Sequence, residues 1–307
     1  MNDKWDILGI GITAVDDFFY VNGFPPPDAR REIIRAERRC GGLTAAALVT
    51  AARLGARCAY AGMLGDDELS NIILDDFRRH GIDTAPCLIR PGVRPYHSTI
   101  IVDALTGSRN IFYTKHGVAC RPAETLSEEI ISSAGLLYLD QLHVPAMIQA
   151  ARWARAHQRP TVADFDHFNH PDMPALLELT GHLIVSHELA LPATGAESVE
   201  QAALILARVP RSVTVVTHGD RGGCYVLGST PDRVLRYGAF KVKVVNTTGC
   251  GDVFHGAYAA ALILRLPLEQ ALNFASAAAA LKAAGVHHPD ANAVRQFLAH
   301  PCENPLP

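Results

Sequence analysis

The sequence lacks a surplus of charge, a long apolar run, a paired-cysteine motif and an internal repeat, and each lack removes a class of function. Its 28 lysines and arginines are balanced by 31 aspartates and glutamates, for a formal charge of -3. A chain so balanced exerts no long-range pull on nucleic acid or an anionic membrane, so an anion must be held by a local site and the expected partner is a small molecule. The run Ile7 to Val15 is too brief and wrongly flanked for a signal peptide or a membrane span. Seven cysteines (Cys40, Cys58, Cys87, Cys120, Cys224, Cys250 and Cys302) are odd in number and scattered, with no C-x-x-C pair. That usage fits reduced thiols, and the expected compartment is cytoplasmic. No low-complexity linker interrupts the chain, and Pro25-Pro26-Pro27 reads as a stiffened turn.

What is present is a chain of 307 residues, 49% hydrophobic, enough to bury the core of one large α/β unit spanning residues 1–307. Strand-like runs alternate with helical periodicity, which predicts a mainly parallel, doubly wound sheet covered by helices on both faces. Strands are expected at Asp6–Ile12, Arg57–Leu64, Leu136–Leu139, Thr161–Phe165, Leu183–Val185 and Val213–Thr217. Helices are expected at Leu43–Leu54, Asp67–His80, Pro145–His157, Pro174–Leu179 and Ser198–Ala207, with Gly55 and Gly81 as stops. Asp17–Val21 with Ile33–Glu37, and His97–Val102 with Arg109–Thr114, break this rhythm and read as hairpins. Together they predict a small lid sheet, contributed by about residues 17–37 and 97–114, able to exclude water from a cleft.

The most informative stretch is Val244-Val245-Asn246-Thr247-Thr248-Gly249-Cys250-Gly251-Asp252-Val253-Phe254-His255-Gly256. A β-rich run is expected to feed a G-x-G-D loop and then an Ala-rich helix, about Val253–Leu264. Glycines let backbone N–H groups approach a phosphate, and a helix N-terminus adds positive partial charge, so Gly249, Cys250 and Gly251 form a candidate anion hole. Asp252 at that helix start is ordinarily a dipole-favoured first-turn residue. Beside a phosphate cradle it is also placed to take the proton of an attacking hydroxyl. The stretch lacks the Lys-Ser/Thr of a Walker A loop and does not follow the first strand as a dinucleotide fingerprint would. Cys250, in the same loop, is expected to have a lowered thiol pKa.

Through Thr247, Thr248, Gly249, Gly251, Asp252 and Phe254 the stretch resembles the C-terminal signature of the ribokinase-like (PfkB) carbohydrate kinases, from which Asn246 and Cys250 depart. Gly11-Ile12-Thr13-Ala14-Val15-Asp16, the pair Gly41-Gly42 with Ala51-Ala52-Arg53-Leu54-Gly55, and Gly65-Asp66-Asp67 resemble further landmarks of that family. Thr217-His218-Gly219-Asp220-Arg221-Gly222 resembles its nucleotide segment. Gly-Ile-Thr near the start and Ala239-Phe240-Lys241-Val242 are similar to sulfofructose and other ketose kinases within it. The resemblance implies a ribokinase-like fold and transfer of the γ-phosphoryl group of ATP, with Mg2+, to a hydroxyl of a sugar-like substrate, Asp252 acting as base. It implies substrate contacts at Asp16, Gly41 and Gly42, nucleotide contacts at Thr217, Gly219, Gly222 and Thr248, and a homodimer joined through the lids.

Departures qualify those expectations. Ala46 stands where the family has a substrate-binding Asn, which disfavours ribose. Asn246 replaces an Asp that can help hold a monovalent cation, so potassium activation is not expected. Ser186-His187-Glu188 is an offset version of a magnesium-associated motif, leaving Glu188 either to orient metal-bound water or simply to favour a helix start. Arg109 in the lid, and Arg30 and Arg94 beside it, are candidate clamps for an anionic sugar, set against a plain solvated arginine. Phe18, Phe19, Phe112 and Tyr113 keep a nucleoside kinase open. From a different class, Asp164, Asp166, His167 and His170 offer four ligand-type residues to a metal-dependent hydrolase, though in no recognised spacing. A non-catalytic ligand-binding descendant would be expected to have lost Asp252, which is present.

Overall fold

A computed structural model describes residues 3–300; Met1, Asn2 and residues 301–307, Cys302 among them, lie outside the described residues. In chain order the strands are β1 (Trp5–Ile10), β2 (Ala14–Val21), β3 (Arg35–Gly41), β4 (Cys58–Tyr60), β5 (Met63–Leu64), β6 (Leu88–Ile89) and β7 (Tyr96–Asp103). They continue with β8 (Arg109–Thr114), β9 (Ala134–Leu139), β10 (Thr161–Asp164), β11 (His182–Ser186), β12 (Val213–Thr217), β13 (Gly223–Leu227) and β14 (Val234–Tyr237). The helices are α1 (Leu43–Arg53), α2 (Glu68–Arg79), α3 (Glu128–Ser132), α4 (Val144–Ala156), α5 (Met173–Leu179), α6 (His187–Thr194), α7 (Val199–Leu206), α8 (Cys250–Ile263), α9 (Leu268–Ala283) and α10 (Ala291–Ala299).

Eight strands form the main sheet in the order β14-β13-β12-β11-β10-β9-β1-β4. Pairing is parallel from β4 through β12, and β13 and β14 close one edge antiparallel. Because strand side chains alternate between faces, neighbouring residues feed different cores. Ile7, Leu136 and Ile184 pack on one side with α1, α8 and α9. Leu8, Leu137 and Val185 pack on the other with α4 and α7. Both faces are therefore covered, and these strands read as continuous apolar runs for that reason. Local signals set the helix ends: Asp67 accepts a hydrogen bond from the Ser70 N–H at 3.0 Å to start α2, and Ser198 does the same for Gln201 in α7.

The segment expected as one strand at Arg57–Leu64 is two. β4 joins the main sheet, the chain bends at Gly62, and β5 leaves to pair with β6. The β-rich run expected before the glycine loop is also corrected, since residues 238–249 form no strand. Val244 and Val245 are exposed at 59% and 62%, and the backbone N–H groups of Val245 and Asn246 instead bond the Ala283 carbonyl at the end of α9. β13, β14, α3, α6 and α10 were not foreseen.

The small sheet is present, in the order β3-β2-β7-β8, with β2 and β7 parallel and the outer pairs antiparallel. Its second turn is held by Asp103, whose carboxylate accepts from the Leu105 N–H at 2.9 Å and the Thr106 hydroxyl at 2.7 Å. β3 runs to Gly41, further than expected, and delivers the chain directly into α1. Among the described residues no helix is long and apolar enough to cross a membrane.

Candidate active site

All parallel strands of the main sheet end on one edge, and polar residues follow the apolar runs there: Asp140 after β9, Asp164 and Asp166 at the end of β10, Thr217 closing β12. Such an edge is where open α/β sheets hold ligands. The N-terminus of α8 meets it. Gly249 caps α8 in the left-handed region at φ 75° and Gly251 is exposed; the Cys250 N–H is bonded to the Thr247 carbonyl at 3.2 Å, which leaves the Gly249 and Gly251 amides without a backbone acceptor among the described residues. Close packing of α8 on α1 fixes this approach: a Cβ at Gly256 would stand 2.3 Å from the Ala47 carbonyl oxygen.

Asp252 lies in the first turn of α8, half-buried, and accepts no hydrogen bond among the described residues. Burial, then the negative charges of Asp164 and Asp166, push its pKa up to about 8, against the pull of His255 and Lys282. Asp164 is buried, receives the Tyr138 hydroxyl at 3.1 Å and sits 3.3 Å from His255 Nδ1; desolvation raises its pKa well above the carboxylate range. His255 is locked between the Gly251 and Ile184 carbonyls at 2.8 and 3.1 Å. Burial lowers its pKa, and in the neutral ring a single N–H donates to one of these carbonyls, with Nδ1 also beside Asp164.

On the facing side, the register of the small sheet puts Asp16 opposite Arg39 on one neighbour and Ser98 on the other, and Ser98 opposite Tyr113. Directly paired residues share a face, so Arg39, Asp16, Ser98 and Tyr113 form one row. Gly41, two residues beyond Arg39, leaves the space that Asp16 uses: a Cβ there would fall 2.7 Å from Asp16 Oδ2. Gly42 caps α1 at φ 95°, with the Ile12 carbonyl 2.7 Å from where a Cβ would be. Burial raises the pKa of Asp16 despite a hydrogen bond with Ser98. Beneath this side, Asp140 receives the Ile12 N–H and the Thr44 hydroxyl at 2.8 Å, pinning the β1–β2 turn to the start of α1.

The structure thus brings together Asp16, Gly41 and Gly42 on one wall and Gly249, Cys250, Gly251 and Asp252 on another. Thr217 ends β12, and Gly219 and Gly222 follow it in positive φ. The Thr248 hydroxyl is buried without a hydrogen-bond partner, while its N–H bonds the Asn246 side chain at 2.8 Å. Glu188 opens α6 with its carboxylate 2.9 Å from His187, whose ring lies 4.3 Å from that of His218. Arg109 shares the face of Asp16 but sits opposite Val102, four residues or about 13 Å along β7 from Ser98. Arg30 is exposed in irregular chain, and Arg94 is engaged with Asp67 at 2.6 Å.

Two expectations fail here. The Cys250 thiol is not activated: burial pushes its pKa up to about 11, outweighing nearby Lys282. Nor do Asp164, Asp166, His167 and His170 converge on a metal. Asp164 is tied to Tyr138 and His255, His170 turns to Asp172, and no three His, Cys, Asp or Glu among the described residues are grouped to hold an ion. Missed altogether were Asp140, Arg39 and Lys282. Asp140 could have been found as the polar residue ending an apolar strand, and Arg39 from its period-2 spacing to Gly41.

A strand edge met by a glycine-capped helix start, with a second, smaller sheet, fits an α/β phosphotransferase. The profile of the pfkB family carbohydrate kinases matches residues 5–286, and the chain belongs to that family, whose members phosphorylate a hydroxyl group. It is similar to the ribokinase of Bacillus subtilis, 27% identical over 78% of this chain and 80% of that protein. It is also similar to the ketohexokinase of Mus musculus, 23% identical over 89% and 94%. The chain spans 52% of the bifunctional ribokinase/ribose-5-phosphate isomerase A of Fructilactobacillus sanfranciscensis, at 26% identity over 90% of its own length. Among solved structures, the ribokinase of Thermotoga maritima superposes with a TM-score of 0.81 at 23% identity, covering 96% of this chain and 99% of that one. Arabidopsis thaliana ribokinase complexed with ribose and ATP gives 0.82 at 20%, covering 97% and 99%. These two likenesses show the ribokinase-like fold.

Proposed function

We propose that this chain is a sugar kinase that moves the γ-phosphoryl group of ATP to a hydroxyl of a small carbohydrate, with Asp252 as general base. The carrying observation is Asp252 itself, a carboxylate without a hydrogen-bond donor, raised to about 8, at a helix start where the Gly249 and Gly251 amides lack a backbone acceptor among the described residues. A base so tuned accepts a hydroxyl proton near neutral pH far more readily than an ordinary carboxylate. Gly249 and Gly251 present amides to the group in transfer, the Cys250 N–H being engaged with the Thr247 carbonyl. Asp16 and the Gly41-Gly42 backbone hold the acceptor hydroxyls, and the small sheet covers the crevice against water.

The nucleotide is assigned to the strand edge between Thr217, Gly219 and Gly222 and the orphan Thr248 hydroxyl, a buried donor awaiting an acceptor such as a phosphate oxygen. Magnesium would arrive on the ATP phosphates, whose charge it offsets, rather than in a cage of protein ligands. Glu188, beside the end of β12, is the carboxylate proposed to orient water around that ion. Tyr113, exposed in the row containing Asp16, favours a second acceptor class, a nucleoside whose base could stack on it.

ATP consumption with magnesium across sugars, sugar acids, sulfosugars and nucleosides, beside Asp252→Asn, tests the proposal. Turnover on one acceptor that collapses in the variant is expected. Equal turnover in the variant would remove Asp252 as base, and failure to bind ATP would remove the nucleotide assignment.

A further inference from the structure

Lys282 is in the last turn of α9 and only 8% exposed. Its Cε lies 3.6 Å from where a Cβ of Gly249 would be, and its charge acts on Cys250 and Asp252, so the side chain lies against the glycine loop. It makes no hydrogen bond or ion pair among the described residues. The bonds from Val245 and Asn246 to the Ala283 carbonyl hold the loop against this turn of helix, which fixes the approach. A lysine side chain this buried, whose ammonium keeps only a little contact with water and has no protein partner, is costly, and a ligand anion would complete it.

We propose that Lys282 is a further catalytic residue, whose ammonium holds the phosphoryl group in transfer against the N-terminus of α8. This rests on the Gly249–Asp252 loop being the transfer site. Charge explains the need. Amides carry only partial charge, and once Asp252 ionises to act as base its carboxylate repels an incoming triphosphate. The positive charge of Arg39 acts on Lys282 and favours an anion beside its ammonium, while His287, lowered to about 4 by burial, is neutral there and adds no charge. Arg39 cannot substitute, because Glu37 already holds it at 2.5 Å. In the step itself, the acceptor oxygen bonds to the γ-phosphorus as its proton passes to Asp252. The bond from that phosphorus to the β–γ bridging oxygen breaks, and ADP leaves with the electron pair. Lys282 stays protonated and donates to the non-bridging oxygens throughout.

The test compares the wild-type enzyme with Lys282→Met and Lys282→Arg, by calorimetric titration of ADP alone and of ADP with aluminium fluoride, a mimic of the phosphoryl group in flight, acceptor present. Expected are ADP affinities alike within about twofold, loss of the fluoroaluminate tightening in the Met variant, and its partial return with Arg. The Met variant should also lose about a hundredfold in kcat, with little change in acceptor KM. Should it fail to fold, Lys282→Gln takes its place. Tightening and kcat equal to wild type in the uncharged variant would overturn the proposal. Absence of turnover and tightening in the wild-type enzyme would instead overturn the transfer site on which it rests, a failure visible before any variant is made.

Discussion

Along the edge of the main sheet, Asp140, Asp164 and Asp252 are carboxylates drawn into protein, and burial raises all three, Asp140 to about 7 and Asp252 to about 8. On the four-stranded sheet the charges stay near water and are paired: Arg38 at 2.6 Å and His97 at 2.8 Å hold Asp17 below the usual carboxylate range. The first region spends stability to keep groups in poised protonation states. The second is a cover whose exposed ion pairs contribute little each. Asp16 belongs by sequence to the cover and by environment to the crevice, since burial raises it too, unlike its neighbour Asp17. One strand, with its two faces, is the seam between the regions.

Breaking the buried side should have the largest effect. Asp252→Asn is expected to lower kcat by about a thousandfold, within the range for a lost general base, while the protein stays folded. In the wild type, kcat/KM should rise with pH until above about 8, because the base works only when ionised, and the variant should lack that limb. The same shift has a stability consequence. A carboxyl raised from its unfolded value to about 8 stabilises the fold at acid pH and loses that contribution as pH climbs through 8. Asp252→Asn should therefore melt about 2–4 °C above wild type at pH 9 and no higher at pH 4, by scanning calorimetry.

Next comes Gly42→Ala, which forces a side chain into φ 95° and against the Ile12 carbonyl. Urea denaturation should show a loss of about 2–3 kcal/mol, and no loss would mean that the seam is more pliant than its geometry. Asp16→Asn should raise the acceptor KM about tenfold with a smaller change in kcat, placing it among binding rather than proton-transfer groups. A collapse of kcat instead would erase the distinction between the two walls. Smallest of all, Arg109→Ala and Cys250→Ala should stay within about twofold of wild type, the first because Arg109 stands about 13 Å along the sheet from the row of Asp16. The Cys250 thiol should also resist alkylation at pH 7, given a pKa near 11. A tenfold loss with Arg109→Ala would show the cover bending onto the acceptor.

Much of this was legible in the residues. The apolar period over Asp67–His80 with Gly81 after it announced α2, and G-x-G-D announced a helix start, because stops and glycine turns depend on neighbours in sequence. The small sheet was legible from strand-like runs that break the βαβ rhythm and from a turn containing Thr106-Gly107-Ser108. Illegible were the split of β4 from β5 and the loss of a strand at Val244–Val245, where bonding to Ala283 across the fold overrode strong β propensity. Cys250 shows the same limit: a helix N-terminus argued for an acidic thiol, and desolvation, invisible in sequence, reversed the sign.

By itself the sequence determined the alternation of strands and helices, the glycine loop with Asp252, and the pairing of Asp16 with the Gly41-Gly42 turn as candidate walls, since each rests on patterns a few residues long. Only the tertiary structure decided which charges are buried together. Lys282 and Asp252 are thirty positions apart, and Asp164 is farther still, so their convergence on one crevice, with the pKa values that follow, depends on which faces of α8, α9 and β10 the packing turns inward. Electrostatic energy falls with distance in space and with access to water, and neither is written along the chain.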